Sequence, residues 1–154
     1  MRRQLVAVAG ALAVAASAGC SSSGSKEDPD KAKNGATSTV CAKDATATKT
    51  SLPKGFPADF PLPTGTVVTA VDDRGATDGI VVTGVTAARF AAVLKGLQTD
   101  LPAKGFTPSE GEVEPHDAES NWSSAGYTGR WAIRELTGCG GDVTVSVVAR
   151  AKTE

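Results

Sequence analysis

The first 19 residues constrain the fold most, because their pattern indicates that they are not part of the folded domain and that the domain is exported. Arg2 and Arg3 are followed by an apolar run of 14 residues, from Leu5 to Ala18. A bilayer-spanning helix needs roughly 20 residues, so this run is too short. A basic start, a short apolar stretch and small residues before a cut are typical of a secretory signal. We therefore expect residues 1–19 to be removed and the rest to fold outside the cytoplasm.

The sequence Ser17-Ala18-Gly19-Cys20, followed by a Ser/Gly stretch, resembles the lipobox of bacterial lipoproteins. The resemblance implies that Cys20 becomes the new N-terminus and carries lipid, which places the domain on the extracytoplasmic face of the cell membrane. Two acyl chains hold a soluble domain there stably. Ser17 departs from the family, which usually has an aliphatic residue at this position. An ordinary secretory signal, with Cys20 as a structural cysteine, is the alternative.

The remaining chain divides by composition into a linker and one domain. Residues 20–51 are predicted to comprise the N-terminus, acylated as the resemblance implies, and a flexible linker. The linker is predicted because Ser, Thr, Ala, Lys, Asp and Gly dominate and cannot offset the entropy of ordering. Residues 52–154, about 100 residues, suit a single domain. Without Arg2 and Arg3 the chain has 14 basic and 17 acidic residues and no Lys/Arg run, which argues against nucleic-acid binding.

Cys41 and Cys139 are the two cysteines left if Cys20 is acylated. An exported compartment permits them to pair, so we predict one disulfide that joins the end of the linker to the last hairpin. A redox-active or metal-binding thiol pair is the alternative. It lacks a Cys-x-x-Cys spacing and a nearby histidine.

Periodicity predicts the secondary structure of the domain. Prolines in residues 52–65 forbid a helix, so Phe56, Phe60 and Leu62 form an apolar strap on the domain or, alternatively, the prolines display a polyproline ligand. Residues 66–73 and 79–85 read as two antiparallel strands around a polar turn.

A helix is predicted to follow, with Thr86 as its N-cap and with Pro102 and Gly105 ending it. Its apolar stripe consists of Phe90, Val93, Leu94, Leu97 and Leu101. Residues 106–124 are predicted to be a strand start and a long loop, and residues 127–136 and 143–151 a second strand pair. The fold class is α+β: one helix on a mainly antiparallel sheet, in the order ββα followed by about three strands, after a disordered tether.

Two motifs resemble those of small lipoproteins from high-GC Gram-positive bacteria. They are Pro57-Ala58-Asp59-Phe60-Pro61-Leu62-Pro63-Thr64-Gly65 and Leu101-Pro102-Ala103-Lys104-Gly105-Phe106. They cover about the first half of the domain. The resemblance implies a fold and a location, and it brings no catalytic residue with it.

Chemistry-bearing residues are sparse. His116 is the single histidine and no Gly-x-Ser-x-Gly motif accompanies it, so we predict a protein that is not an enzyme and needs no cofactor. In an extended strand Glu110, Glu112, Glu114 and His116 would share one face and could bind a divalent cation, although a solvated acidic loop is the simpler interpretation of residues 110–119. Trp122, Tyr127 and Trp131 could form a platform for a ligand, although core packing with polar tips at the surface is the favoured interpretation.

Together these features predict a lipid-anchored, non-catalytic binding or accessory domain of the cell envelope. Its expected partners are the membrane, through the lipid on Cys20, and another envelope protein. The alternative is a carrier of a small ligand or divalent cation, built on residues 110–119 and the nearby aromatic side chains.

Overall fold

Six strands form one antiparallel sheet in the computed structural model, which describes residues 40–48 and 51–153. The predicted signal, Cys20 and the linker up to residue 39 lie outside the described residues. The strands are β1 (Val67–Asp73), β2 (Ile80–Thr86), β3 (Thr107–Val113), β4 (Asp117–Ser123), β5 (Tyr127–Glu135) and β6 (Val143–Ala151). Their order across the sheet is β1-β2-β6-β5-β4-β3, so β1 and β3 are the edge strands.

Two α-helical segments lie in the described chain. The first, α1 (Gly75–Asp78), is a single turn between β1 and β2, and the second, α2 (Phe90–Ala103), is the main helix. One main helix on an antiparallel sheet confirms the α+β class. The prediction of about three strands after the helix is wrong, because four strands follow α2.

The helix α2 packs through the predicted stripe. Val93, Leu97 and Leu101 are buried, and Phe90 and Leu94 pack against the same core. Thr86 is not the N-cap as predicted; it ends β2, donates its hydroxyl to the Thr64 carbonyl at 3.0 Å and accepts from the Ala88 N–H at 3.2 Å.

The helix ends in a Schellman arrangement, as the Gly105 signal predicts. Gly105 has φ of 82° and donates its N–H to Pro102 O, and Phe106 donates to Leu101 O. Phe106 is 4 % exposed and enters the core, so the chain leaves the helix directly into the apolar interior.

One face of the sheet, which we call the inner face, packs against α2. Alternate residues of β6 point there, and they are Val143, Val145, Val147 and Ala149. Ile80 and Val82 of β2 and Ile133 of β5 join the same core. The inner face therefore buries the apolar half of each central strand, as the alternation in β6 predicts.

Residues 106–124 contain a complete hairpin rather than the predicted strand start and long loop. β3 and β4 pair in antiparallel register, with Glu112 opposite Glu119 and Val113 opposite Ala118. The pattern was missed for a physical reason: all seven residues of β3 are exposed, and β4 alternates through Ala118, Ser120 and Trp122, where two inward side chains are small. A strand without a large apolar face has no period-2 hydrophobic signal.

The proline-rich segment confirms the predicted strap. Phe56 and Phe60 are both 4 % exposed and belong to the core. The Phe60 ring lies 5.3 Å from that of Phe106 and 5.1 Å from that of Trp122, within the range of favourable aromatic pairs. The strap thus closes the same end of the core at which α2 terminates.

The predicted disulfide is present between Cys41 and Cys139, whose Cα atoms are 5.2 Å apart. The Ala42 N–H also donates to Asp142 Oδ2 at 2.7 Å, and the Thr48 N–H donates to Val68 O at 2.8 Å. Residues 41–48 are therefore attached to the folded domain, although they precede the predicted boundary at residue 52. The polar composition of this segment gave no sign of the backbone contacts that hold it.

Candidate functional site

A shallow groove of about 230 Å³ lies between α2 and the β3–β4 hairpin. Leu97 and Leu101 of α2 form one wall, and Trp131 lies between the strands and the helix. The groove is also lined by Gln98, Pro108, Ser109, Gly111, Val113, Glu119 and Ser120. Its lining is mainly apolar.

Val113 marks the open end of this groove. Across the described residues it is the one large apolar side chain that is exposed, at 57 %. A single exposed valine on a protein surface is common, but this residue lines a mainly apolar depression. The location of Val113 therefore identifies the groove as the candidate binding site.

Gly111 and Ser120 set the geometry of the groove floor. A Cβ on Gly111 would lie 2.8 Å from the Cβ of Ser120 and closer still to the Glu119 carbonyl oxygen, so a side chain has no room there. The Ser120 hydroxyl lies 3.2 and 2.9 Å from the carbonyl oxygens of Ser109 and Asn121, and donation of its one hydrogen to either of them satisfies this buried group. The glycine lets β3 approach β4 closely and leaves the depression open.

The three aromatic residues do not form a platform for a ligand. Trp122 is 2 % exposed and Trp131 is 3 % exposed, and Tyr127 packs at the margin of the core. Core packing, the favoured interpretation, is correct for the two tryptophans. Their polar tips are not at the surface, because both indole Nε1 atoms are buried and have no hydrogen-bond partner within the described chain.

Acidic residues collect on the opposite, outer face of the sheet. A polar cleft of about 220 Å³ is lined by Glu112, Glu114, Asp117, Glu119 and Arg134. Asp117 pairs with Arg134 and Glu119 with Arg130, so two of the four carboxylates have a cationic partner. Glu112 and Glu114 make no ion pair with any described residue, so this side of β3 is negatively charged.

His116 lies in the turn between β3 and β4, away from that cleft. Its Nδ1 is 3.0 Å from Glu135 Oε2, and the side chain is 75 % exposed. Its backbone carbonyl accepts from the Glu135 N–H. The ring contacts a carboxylate on β5 and does not line the cleft formed by Glu112 and Glu114.

The predicted cation ligands are therefore not assembled. Glu112 and Glu114 line one cleft, but His116 lies in the turn after β3 and contacts Glu135 instead. In the part of the chain that the structure describes, the one group of three potential ligands within 4.8 Å is Cys41, Cys139 and Asp142. Its two sulfur atoms are bonded to each other, so it has no thiolate to offer a metal.

Sequence reasoning missed the groove itself. Leu97 and Leu101 were assigned only to the core, and residues 106–124 to a loop. A signal was present in Val113, the single large apolar residue between the acidic positions 110–119.

Comparison with protein-family models, with curated proteins and with solved structures found no match. Within the described residues, none of the helices has both the length and the apolar character required to span a bilayer.

Proposed function

We propose that the chain is a lipoprotein anchored through Cys20 on the extracytoplasmic face, and that its domain is a non-catalytic binding module that uses the groove beside Val113. The observation that carries the binding role is the coincidence of the exposed apolar side chain with the apolar depression. Exposed apolar surface that adjoins polar surroundings is characteristic of interaction sites.

The disulfide supports the extracytoplasmic part of the proposal. Cys41 and Cys139 are paired, and disulfides persist mainly in oxidising compartments. The bond also holds the start of the described chain to the β5–β6 loop.

The size of the groove favours a macromolecular partner over a small-molecule cargo. Pockets for drug-sized ligands typically enclose about 300–1,000 Å³. The groove offers about 230 Å³ and is open to solvent along the edge of the sheet. It suits one or two side chains of a larger partner better than an enclosed small molecule.

The experiment that tests anchoring is the intact mass of the membrane-extracted protein beside that of a Cys20→Ala variant. We expect loss of residues 1–19 and added acyl mass in the first, and no acyl mass in the variant. A mature chain without acyl mass would contradict the anchor and leave the binding role open.

The binding role is tested by placing a photo-crosslinking amino acid at Val113 in cells. Ala92, an exposed residue of α2 outside the groove lining, provides the matched control position. We expect one discrete cross-linked species from position 113 and none from position 92. Equal or absent cross-linking at both positions would refute the groove as a binding site.

A further inference from the structure

We infer that the edge strand β3 binds an extended polypeptide segment in which basic and apolar residues alternate. The segment adds to the sheet as a seventh strand, with its apolar side chains toward the groove and its basic side chains toward Glu112 and Glu114. This inference rests on the proposed binding function and names the class of partner.

The backbone of β3 is available for such pairing. β3 lies at the end of the sheet and pairs only with β4 among the described strands, and all seven of its residues are exposed. An edge strand presents unpaired N–H and C=O groups, which extended peptides use for strand addition.

Two features that interrupt the backbone lie in the first half of the strand. Pro108 lacks an N–H, and the register shifts between Pro108 and Gly111, as at a β-bulge. Such features hinder strand pairing. From Gly111 to Val113 the pairing with β4 is regular. The second half of β3 has an uninterrupted backbone and carries the exposed Val113, so it is the docking half.

The two sides of this docking half have different chemistry. Glu112 is opposite Glu119 on the outer face, and Val113 is opposite Ala118 on the inner face, because successive side chains of a strand point to opposite faces. The outer face carries the uncompensated carboxylates of Glu112 and Glu114. A strand beside β3 would thus meet negative charge on one face and apolar surface on the other.

The same charges argue against a second copy of this chain as the occupant. Two β3 strands side by side would bring their acidic residues together, and like charges across a strand pair are destabilising. Charge complementarity selects a basic strand instead. The apolar groove on the other face selects apolar residues at the alternate positions.

The test uses the full-length protein and a seven-residue peptide that alternates lysine and valine, matched to the length of β3. Amide NMR shifts and hydrogen exchange locate its binding. We expect shifts and slower exchange confined to β3 and the groove. Shifts confined to another surface, no binding at all, or self-association through β3 that excludes the peptide would each overturn the inference.

Backbone pairing is tested by two methylated peptides. Successive residues of a strand direct their N–H groups to opposite edges, so methylation of the nitrogens on alternate residues blocks one edge only. We expect one of the two N-methylated peptides to lose binding and the other to retain it. Retention or loss of binding in both would show that no single edge of the peptide pairs with β3.

Charge selection is tested by the Glu112→Gln/Glu114→Gln variant. The matched control is Asp44→Asn/Asp59→Asn, which removes the same charge from exposed positions outside the groove and cleft. We expect the first variant to bind the peptide on the order of tenfold more weakly at low salt, and the control to change binding less than about twofold. An equal loss of peptide affinity in both variants would show that binding depends on net charge and not on Glu112 and Glu114.

The outcomes separate this inference from the proposed function. Cross-linking at Val113 in cells without peptide binding to β3 would overturn strand addition and leave the binding module intact. Absence of both the cross-link and the peptide binding would overturn the binding module as well as strand addition.

Discussion

Replacing Gly129 by alanine is predicted to destabilise the domain severely, because the indole of Trp122 lies over this glycine. The two residues are directly opposite in the β4–β5 pair. A Cβ on Gly129 would lie 2.5 Å from Cζ2 and 2.7 Å from Cε2 of Trp122, and closer still to the Val148 carbonyl oxygen. Carbon atoms in contact are normally about 3.5–4.0 Å apart.

Neither neighbour can move away without cost. Trp122 is 2 % exposed, and the rings of Phe60 and Phe106 lie 5.1 and 5.3 Å from it. The carbonyl of Val148 belongs to β6, in the middle of the sheet. Overpacking of a core typically costs about 1–3 kcal/mol. Since backbone must shift here as well as a side chain, we expect Gly129→Ala to lose about 3 kcal/mol or more of unfolding free energy.

The assay is urea unfolding at 25 °C, followed by tryptophan fluorescence and circular dichroism. The matched control is Gly126→Ala, because a Cβ at Gly126 meets no described heavy atom within 4 Å. We expect that control to change stability by less than about 0.5 kcal/mol. Similar unfolding free energies for the two variants would refute the packing argument.

A double-mutant cycle assigns the cost to the indole. Trp122→Phe in the Gly129→Ala background removes the larger ring, so the combined loss should be smaller than the sum of the two single losses. Strict additivity would show that the strain arises at Val148 alone.

Three further predictions concern the linker attachment and the core. The Cys41→Ser/Cys139→Ser variant lacks the disulfide between residues that are 98 positions apart, and it should lose up to about 4–5 kcal/mol of unfolding free energy, measured with urea. Reductant should leave the stability of this variant unchanged. Asp142→Ala, which removes the acceptor of the Ala42 N–H, should cost about 1 kcal/mol in the oxidised protein and less in the cysteine variant. Trp131→Phe should lower the unfolding free energy by less than the roughly 3–5 kcal/mol of a Trp→Ala change, because the Trp131 Nε1–H has no hydrogen bond to lose. A larger loss, measured by calorimetry, would indicate that this N–H does have a partner.

Elements whose signals are local could be predicted from the residues alone. The valine alternation of β6, the stripe on α2 and the stop at Gly105 follow from residues close together in the chain, and each is found in the structure. The pairing of Cys41 with Cys139 was also predictable, because they are the two cysteines left if Cys20 is acylated.

Tertiary structure alone decided the features that depend on neighbours distant in the chain. Trp122 and Trp131 are buried because the strap and α2 cover them, and no local pattern distinguishes that outcome from an exposed platform. β3 has no apolar face of its own and is a strand because β4 supplies its hydrogen-bond partners. The groove exists because α2 meets an edge strand there, and the placement of an edge is a property of the complete sheet.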